Sequence, residues 1–160
     1  MIIGIDNGLD GGLCAISTHD GSIIAKTTMP TLIFKKKREV DPKRIYKWIM
    51  DLNTPCVIAI EEPLNHARSS QAMRSMAISF GKIIGLSECR DISIKRIDVH
   101  DWQDAMLGKI PKGFTKQAAL ITATKLAPDE EWLASSRCST PHDGMIDAFL
   151  IAKFYLTKCK

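Results

Sequence analysis

Two aspartates lie four residues apart where an apolar stretch of the chain begins. Asp143 and Asp147, in the segment STPHDGMIDAFLIAKF (139–154), would share one face of a helix and repel each other. A bound divalent cation would offset this repulsion. The pair is therefore a candidate metal site.

Two more acids follow short apolar strands. Asp6 ends MIIGID, and Glu61 comes directly after the apolar run CVIAI. If the two strands are neighbours, both acids converge at one end of the sheet, and the last helix can bring Asp143 and Asp147 against them. Carboxylate oxygens of this kind suit Mg²⁺ or Mn²⁺. Two such ions about 3.5–4 Å apart could activate a water and stabilise the leaving oxygen at a phosphodiester.

Each of the four acids also has a structural interpretation. Asp6 could start a turn, and Asp143 could complete a capping box with Thr140. Asp147 could be a solvated helix residue. Glu61 is harder to explain in this way, because a carboxylate at the end of a buried strand is costly without a partner. Each acid alone is more readily structural, whereas the joint pattern favours a site.

Short strands and amphipathic helices must position these acids. Residues 2–29 are predicted as a three-stranded antiparallel meander with a turn at 19–21, and residues 30–38 as a loop. A helix is predicted to start at Pro42, after Asp41 as N-cap. The other predicted elements are strands at 56–60 and 92–99, and helices at 69–86, at 101–107, at 115–127 with Thr115 as its cap, and from about 140 to 157. This order favours an α/β fold with a central mixed five-stranded sheet and helices on both faces.

Composition limits the classes of protein. The chain has 160 residues, which suits one domain, and 45% of them are apolar, enough for a core. No apolar run reaches the length of about 18 residues that a transmembrane helix needs, so no membrane association is expected. The N-terminus lacks a signal-peptide pattern, which predicts a cytoplasmic protein, in the host cytoplasm if a phage encodes it. The five cysteines form no CxxC pair, which argues against a zinc site or a disulfide framework.

Positive charge is concentrated in one segment. The net charge is only +4, but residues 35–47 (KKKREVDPKRIYK) hold seven basic and two acidic residues. A basic segment of this kind attracts polyanions, nucleic acid above all. The alternative, which the sequence leaves open, is a solvated loop beside a solvated helix face.

Four segments together resemble one family. These segments are IIGIDNGLDGGLCAI, CVIAIEEPLNHARSSQAMRSMAISFGKIIGL, VHDWQDAMLG with GFTKQAALITATKLAP, and HDGMIDAFLIAKF. They are similar to motifs of RuvC-type Holliday junction resolvases of the small, phage-like branch, within the RNase H-like nuclease superfamily. The resemblance covers nearly the whole chain, and residues 30–50 match least. It implies an RNase H-like fold.

The resemblance also implies a site and an assembly. Asp6, Glu61 and Asp147 match the family's metal ligands, and Asp143 matches the preceding catalytic acid of phage-like members. Mg²⁺ or Mn²⁺, with two ions per active site, would serve the cleavage of DNA. The family further implies a homodimer, built partly on the helix at 71–86. The apolar stripe of that helix consists of Met73, Met76, Ile83 and Ile84, which could pack against a partner, in the protein's own core, or in both.

A junction resolvase must hold DNA phosphates with basic residues. The loop GKIPKGFTK (108–116) enters a helix N-terminus, which favours phosphate binding by the backbone as well. The loop that follows the acids, with Leu64, Asn65, His66 and Arg68, is expected to probe the crossover. The candidate DNA-binding residues are Lys35, Lys36, Lys37, Arg38, Arg68, Lys109, Lys112 and Lys116.

The sequence therefore predicts a metal-dependent endonuclease. It would resolve four-way (Holliday) and other branched DNA by paired phosphodiester hydrolysis, leaving 5′-phosphate products. Two alternatives remain open: an RNase H-like nuclease acting on an RNA–DNA hybrid or a flap, and a non-catalytic protein that binds branched DNA. An actin-like ATPase shares the first motif, but 160 residues are too few for its two lobes.

Overall fold

A mixed five-stranded sheet forms the centre of this computed structural model, which describes residues 1–63 and 70–159. The strands of the sheet are β1 (Ile2–Asp6), β2 (Gly12–Ile16), β3 (Ile23–Thr28), β6 (Val57–Glu61) and β7 (Ser93–Ile97). They lie in the order β3-β2-β1-β6-β7. A separate hairpin consists of β4 (Thr31–Phe34) and β5 (Lys37–Val40).

The first three strands form the predicted antiparallel meander. Strands β1, β6 and β7 run parallel to one another, so the sheet is mixed as predicted. Every residue of β2 and the three central residues of β6 are buried, which explains why these strands are almost wholly apolar. The predicted turn between β2 and β3 is present, and Gly21 provides its positive φ of 73°.

Helices cover both faces of the sheet. They are α1 (Pro42–Asp51), α2 (Ser70–Cys89), α3 (Val99–Leu107), α4 (Thr115–Leu126) and α5 (Asp143–Lys158). Helices α3, α4 and α5 pack on one face around Trp102 and Phe149, and α1 and α2 pack on the other around Ile45 and Ile83. The predicted α/β class, with helices on both faces of a five-stranded sheet, is confirmed. None of the helices in the described residues is long and apolar enough to cross a membrane.

Helix α5 packs on the sheet with almost no space between the backbones. Ten of its 16 residues are buried. A Cβ atom added to Gly4 of β1 would collide with the Ala148 carbonyl oxygen and would lie 2.8 Å from the Ala152 nitrogen. Glycine is therefore required at this position, and α5 has a fixed distance from β1.

Residues 30–38 do not form the predicted loop, because most of them belong to the β4–β5 hairpin. Its register pairs Phe34 with Lys37, which leaves Lys35 and Lys36 as the turn. Their φ angles are 46° and 65°. Two-residue hairpin turns favour Asn-Gly or Gly because both positions need a positive φ. A turn built from two lysines carries no such signal in the sequence, which is why the prediction was wrong.

Of two predicted helix caps, one is confirmed and one is wrong. Asp41 caps α1 as predicted, and its side chain accepts from the backbone N–H of Lys43 at 3.1 Å. Thr115 does not cap α4, because it is already the first helical residue. Phe114 takes the cap position without a side-chain hydrogen bond.

The start of α5 also corrects one structural interpretation of the acids. His142 is the N-cap, and its Nδ1 accepts from the Met145 N–H at 3.3 Å. Thr140 lies outside the helix. The capping box that would have explained Asp143 by stability alone is therefore absent.

Candidate active site

Asp6 and Glu61 lie side by side at one end of the sheet. Each is the last residue of its strand, and β1 and β6 are parallel neighbours in which Ile5 is paired with Ile60. The condition on which the predicted site depended, that the two strands are adjacent, is met. Their carboxylates therefore leave the sheet at the same edge.

Glycines bring the start of α5 to the same edge. Gly11, in the turn that follows Asp6, forms a backbone bridge with Gly144 of α5. A Cβ atom on Gly12 would lie 2.8 Å from the Gly144 oxygen. The first turns of α5, which carry Asp143 and Asp147, consequently lie against the end of β1.

The acids affect one another electrostatically. Burial raises the pKa of Asp147 to about 8, with further increases from the negative charges of Asp6, Glu61 and Asp143. Burial, followed by the charge of Asp6, raises the pKa of Glu61 to about 7. Burial also raises the pKa of Asp6, although the Gly8 N–H, which donates to Asp6 Oδ1 at 3.1 Å, opposes the shift. Charge in this pocket is thus poorly solvated and mutually repulsive.

Two neighbours that the sequence did not single out as site residues hold Glu61 in place. Trp102 of α3 donates its Nε1–H to Glu61 Oε2 at 2.8 Å. Asn7 is buried, and its side-chain amide donates to the Glu61 backbone oxygen. The Asn7 Oδ1 is buried without a partner in the described part of the chain. A polar side chain directly after a strand-end acid was the only sequence signal for Asn7, and no local pattern marked Trp102.

Lys116, one of the predicted DNA-binding residues, lies at the acidic site. Its Nζ donates to Asp143 Oδ2. This hydrogen bond and the charge of Asp143 raise the pKa of Lys116, and the charge of Asp147 acts in the same direction. The Lys116 side chain is 80% exposed, so its ammonium group is accessible from solvent as well as bonded to Asp143.

The side chains of this site fit a hard divalent cation by their chemistry. The donors are carboxylate oxygens with raised pKa values, together with the unpartnered amide oxygen of Asn7. Mg²⁺ prefers oxygen ligands of this kind and keeps several waters. In residues 1–63 and 70–159, however, no three His, Cys, Asp or Glu side chains are close enough to hold one ion together. Metal ligation by the four acids therefore stays a prediction.

The predicted DNA-binding residues lie in three regions. Lys35, Lys36, Lys37 and Arg38 are in the β4–β5 hairpin, and all four are exposed. Lys109 and Lys112 are exposed on the connection between α3 and α4, and Lys116 is at the acids. Arg68 lies outside the described residues, as do Leu64, Asn65 and His66.

The residues of the apolar stripe predicted for α2 differ in burial, so they do not form one exposed surface. Ile83 is completely buried in the protein's own core, so it is not available to a partner. Met76 and Ile84 are half-buried. Met73, by contrast, is 38% exposed.

The sheet order and the helices on both faces define an α/β protein with an RNase H-like fold. No protein-family model matches this chain, and no curated protein matches it by sequence. Among solved structures, Thermus thermophilus RuvC in complex with a Holliday junction substrate is similar, with a TM-score of 0.66 and 15% identity over 98% of this chain and 94% of that chain. A second Thermus thermophilus RuvC structure has a TM-score of 0.62 and 12% identity over 99% of this chain and 96% of that chain. The resemblance to RuvC is confirmed at the level of the fold, and the phage-like branch remains a prediction.

Proposed function

We propose that this protein is a metal-dependent endonuclease that resolves four-way and other branched DNA. One observation carries the proposal: Asp6, Glu61 and Asp147 are poorly solvated at one edge of the sheet, where the charge of Asp6 raises the pKa of both Glu61 and Asp147. The fold, which is similar to that of a RuvC bound to a Holliday junction substrate, favours branched DNA as the substrate. The expected products carry a 5′-phosphate and a 3′-hydroxyl.

Asp6, Glu61, Asp147 and Asp143 would hold Mg²⁺ or Mn²⁺, and two ions per active site are expected. When bound, such ions activate a water and stabilise the leaving oxygen of a phosphodiester. The acids must lose their protons to act as ligands, so protons and metal compete for the same oxygens. Trp102 keeps Glu61 oriented through its indole N–H.

Phosphate contacts would come from the exposed cations. Lys109 and Lys112 flank the entry to α4, where backbone N–H groups also favour anions. Lys116, in the first turn of α4, donates to Asp143 and would bring the scissile phosphate towards the acids. Binding of this kind weakens as salt concentration rises.

A homodimer would fit this function, and we propose α2 as part of its interface. Met73 is exposed, Ile84 is half-buried, and a Cβ atom on Gly81 would meet nothing within 4 Å. Two protomers related by a two-fold axis would present two active sites to a junction of the same symmetry. Met73→Glu is expected to convert a dimer into a monomer, as measured by light scattering.

Cleavage of labelled substrates tests the proposed activity. The wild type is expected to cut a four-way junction in Mg²⁺, whereas Asp6→Asn and Asp147→Asn lose the activity by at least about 100-fold, as for a catalytic group. Asp104→Asn is the matched control, because Asp104 is an exposed acid on α3 outside the site. A wild-type cleavage rate for Asp6→Asn would show that the catalytic assignment is wrong.

The choice of substrate separates the alternatives in the same assay. A flap, an RNA–DNA hybrid and a linear duplex are compared with the junction at equal concentration. Preferential cleavage of the hybrid or the flap would identify that nucleic acid, and not the four-way junction, as the substrate. Junction binding without cleavage in Mg²⁺ or Mn²⁺ would identify a non-catalytic binding protein.

A further inference from the structure

The tip of the β4–β5 hairpin exposes apolar side chains. Ile33 is 71% exposed, more than any other large apolar residue in the described parts of the chain, and Phe34 is 53% exposed. Neighbouring residues of a strand point to opposite faces. The exposure of both therefore means that the tip is clear of the body of the protein on each side.

The turn of the hairpin places two cations beside these apolar side chains. Lys35 and Lys36 take the left-handed conformation, with φ of 46° and 65°, which is unfavourable for residues other than glycine, asparagine and aspartate. The Lys35 Nζ lies 5.4 Å from the centre of the Phe34 ring. The chain thus has lysines where turn geometry alone would favour Asn-Gly.

Ion pairs fix the base of the hairpin against the body. Arg38 of β5 pairs with Asp10, in the turn that follows β1 and Asp6. Lys82 of α2 pairs with Glu39 at 2.7 Å and donates to the Val40 backbone oxygen at 3.1 Å. The hairpin consequently has a defined position relative to both α2 and the end of β1.

A basic groove of about 660 Å³ lies between the hairpin and α2. Its cations are Lys37, Arg38 and Arg74, and its apolar lining includes Leu9 and Ile78. Among the described lining residues the only acid is Glu39, which is paired with Lys82, and the cation Arg38 is paired with Asp10. Leu9 belongs to the turn after Asp6, so the lining of the groove includes part of the segment that follows this acid of the candidate active site.

We propose that the hairpin and this groove bind one DNA strand at a branch point, with Phe34 stacked on an unpaired base. The lysines of the turn and the cations of the groove hold the phosphates of that strand. This inference rests on the proposed function and names a part of the substrate that the acids do not touch. Aromatic side chains stack on exposed base faces in this way, and an intact duplex hides those faces.

The charges around the tip favour nucleic acid over a second copy of the chain as the occupant. A symmetric contact between two tips would bring two sets of lysines together and repel. An apolar and aromatic surface flanked by cations instead complements bases flanked by phosphates. The groove has the same character, with apolar residues between arginine and lysine side chains.

Binding measurements in an inactive background test the inference. In Asp6→Asn protein, fluorescence anisotropy gives the affinity for a four-way junction, a forked DNA and a linear duplex across a range of KCl concentrations. Phe34→Ala is expected to weaken junction and fork binding about 5- to 30-fold, with an unchanged salt dependence and unchanged duplex binding. Met50→Ala, on α1 and 54% exposed, is the matched control and should bind normally.

A second variant tests the lysines without disturbing the fold. Lys35→Asn with Lys36→Gly removes two charges and supplies the residues that the turn favours. The thermal midpoint should stay the same or rise, while the slope of log affinity against log salt falls by about 1–2. Thermal unfolding of all variants confirms that they are folded.

Several results would overturn the inference. The first is a change of less than two-fold in the affinity of Phe34→Ala for the junction. The second is a loss of affinity for the duplex as large as that for the junction. The third is a molar mass of Phe34→Ala that differs from that of its parent, which would identify the tip as a self-association surface. If the Asp6→Asn parent binds no branched DNA at all, the proposed function fails together with the inference. If the parent and Phe34→Ala both bind the junction normally, the inference about the hairpin fails and the proposed function stands.

Discussion

The candidate active site should make the metal-free protein less stable as pH rises. Glu61 and Asp147 have folded-state pKa values of about 7 and about 8. In the unfolded chain they return to ordinary values near 4.5 and 3.8. Between about pH 4 and pH 8 the folded protein therefore holds protons that the unfolded chain releases. The free energy of unfolding consequently falls with rising pH, and the loss is complete above the folded pKa values.

The size of this effect follows from the number of protons. Each extra proton held by the folded state lowers the free energy of unfolding by about 1.4 kcal/mol per pH unit. Two protons held from pH 5 to pH 7 would set an upper limit of about 5 kcal/mol. Protonation of one acid relieves the other, and both are partly exposed, so we expect about 2–4 kcal/mol. This corresponds to a fall in thermal midpoint of roughly 5–12 °C for a chain of this size.

The assay compares the wild type with Asp147→Asn in EDTA. Chemical unfolding at pH 5, 6, 7 and 8 gives the free energy of unfolding for each protein. Asp147→Asn should have about half the pH dependence, because one titrating acid is absent and Glu61 loses a repulsive neighbour. Added Mg²⁺ should stabilise the wild type most at pH 8, when the acids are charged, and should stabilise the variant much less.

Titratable groups outside the acidic site that the wild type and Asp147→Asn share contribute equally to both pH dependences. The difference between the two pH dependences therefore comes from the acidic site. Asp104→Asn is the control, since an exposed acid outside the site should leave the wild-type pH dependence unchanged. The reasoning would be refuted by a wild-type free energy that stays level or rises from pH 5 to pH 8. An equal slope for Asp147→Asn would refute it as well.

Two further predictions concern the framework of the site. Trp102→Phe removes the indole hydrogen bond to Glu61 and should cost about 1–2 kcal/mol more than Trp132→Phe, whose buried Nε1 has no partner in the described residues. The measurement is denaturant unfolding at pH 8, and an equal cost for both variants would contradict it. Gly4→Ala forces a backbone collision with α5 and should cost at least about 3 kcal/mol, whereas Gly85→Ala, with open space around it, should stabilise by about 0.5–1 kcal/mol. Thermal unfolding tests both, and a folded Gly4→Ala protein with a normal midpoint would show that the packing is wrong.

The acids could be predicted from the sequence because they follow regular patterns. A carboxylate after a short apolar run marks the end of a buried strand, and this pattern identified Asp6 and Glu61. Parallel neighbours then bring such residues to one edge of the sheet. Asp147 could be predicted because the residues around it are apolar, which requires a deeply buried helix. In each case the signal was local, and only the adjacency of β1 and β6 had to be assumed.

The rest of the site depends on contacts that have no local signal. Trp102 comes from α3, 41 residues away from Glu61, and any aromatic residue on a helix would look the same in the sequence. The unpartnered oxygen of Asn7 is apparent only when its neighbours are known. The β4–β5 hairpin was predicted as a loop because Lys35 and Lys36 occupy a turn that sequence rules reserve for other residues.

Glycines explain why the acids cannot move apart to relieve their repulsion. Side chains between α5 and the sheet would allow the helix to shift by changes of rotamer, but Gly4, Gly11 and Gly12 bring backbone against backbone. Close-packed backbones have no such freedom, since any shift costs the contacts of the many buried residues of α5. Asp147 is thereby held near Asp6 whatever its charge. The repulsion must be relieved by a proton or by a cation, and above pH 8 the cation alone remains. We therefore expect this site to bind a divalent metal ion when its acids are charged, which is the ligation that the proposed function requires.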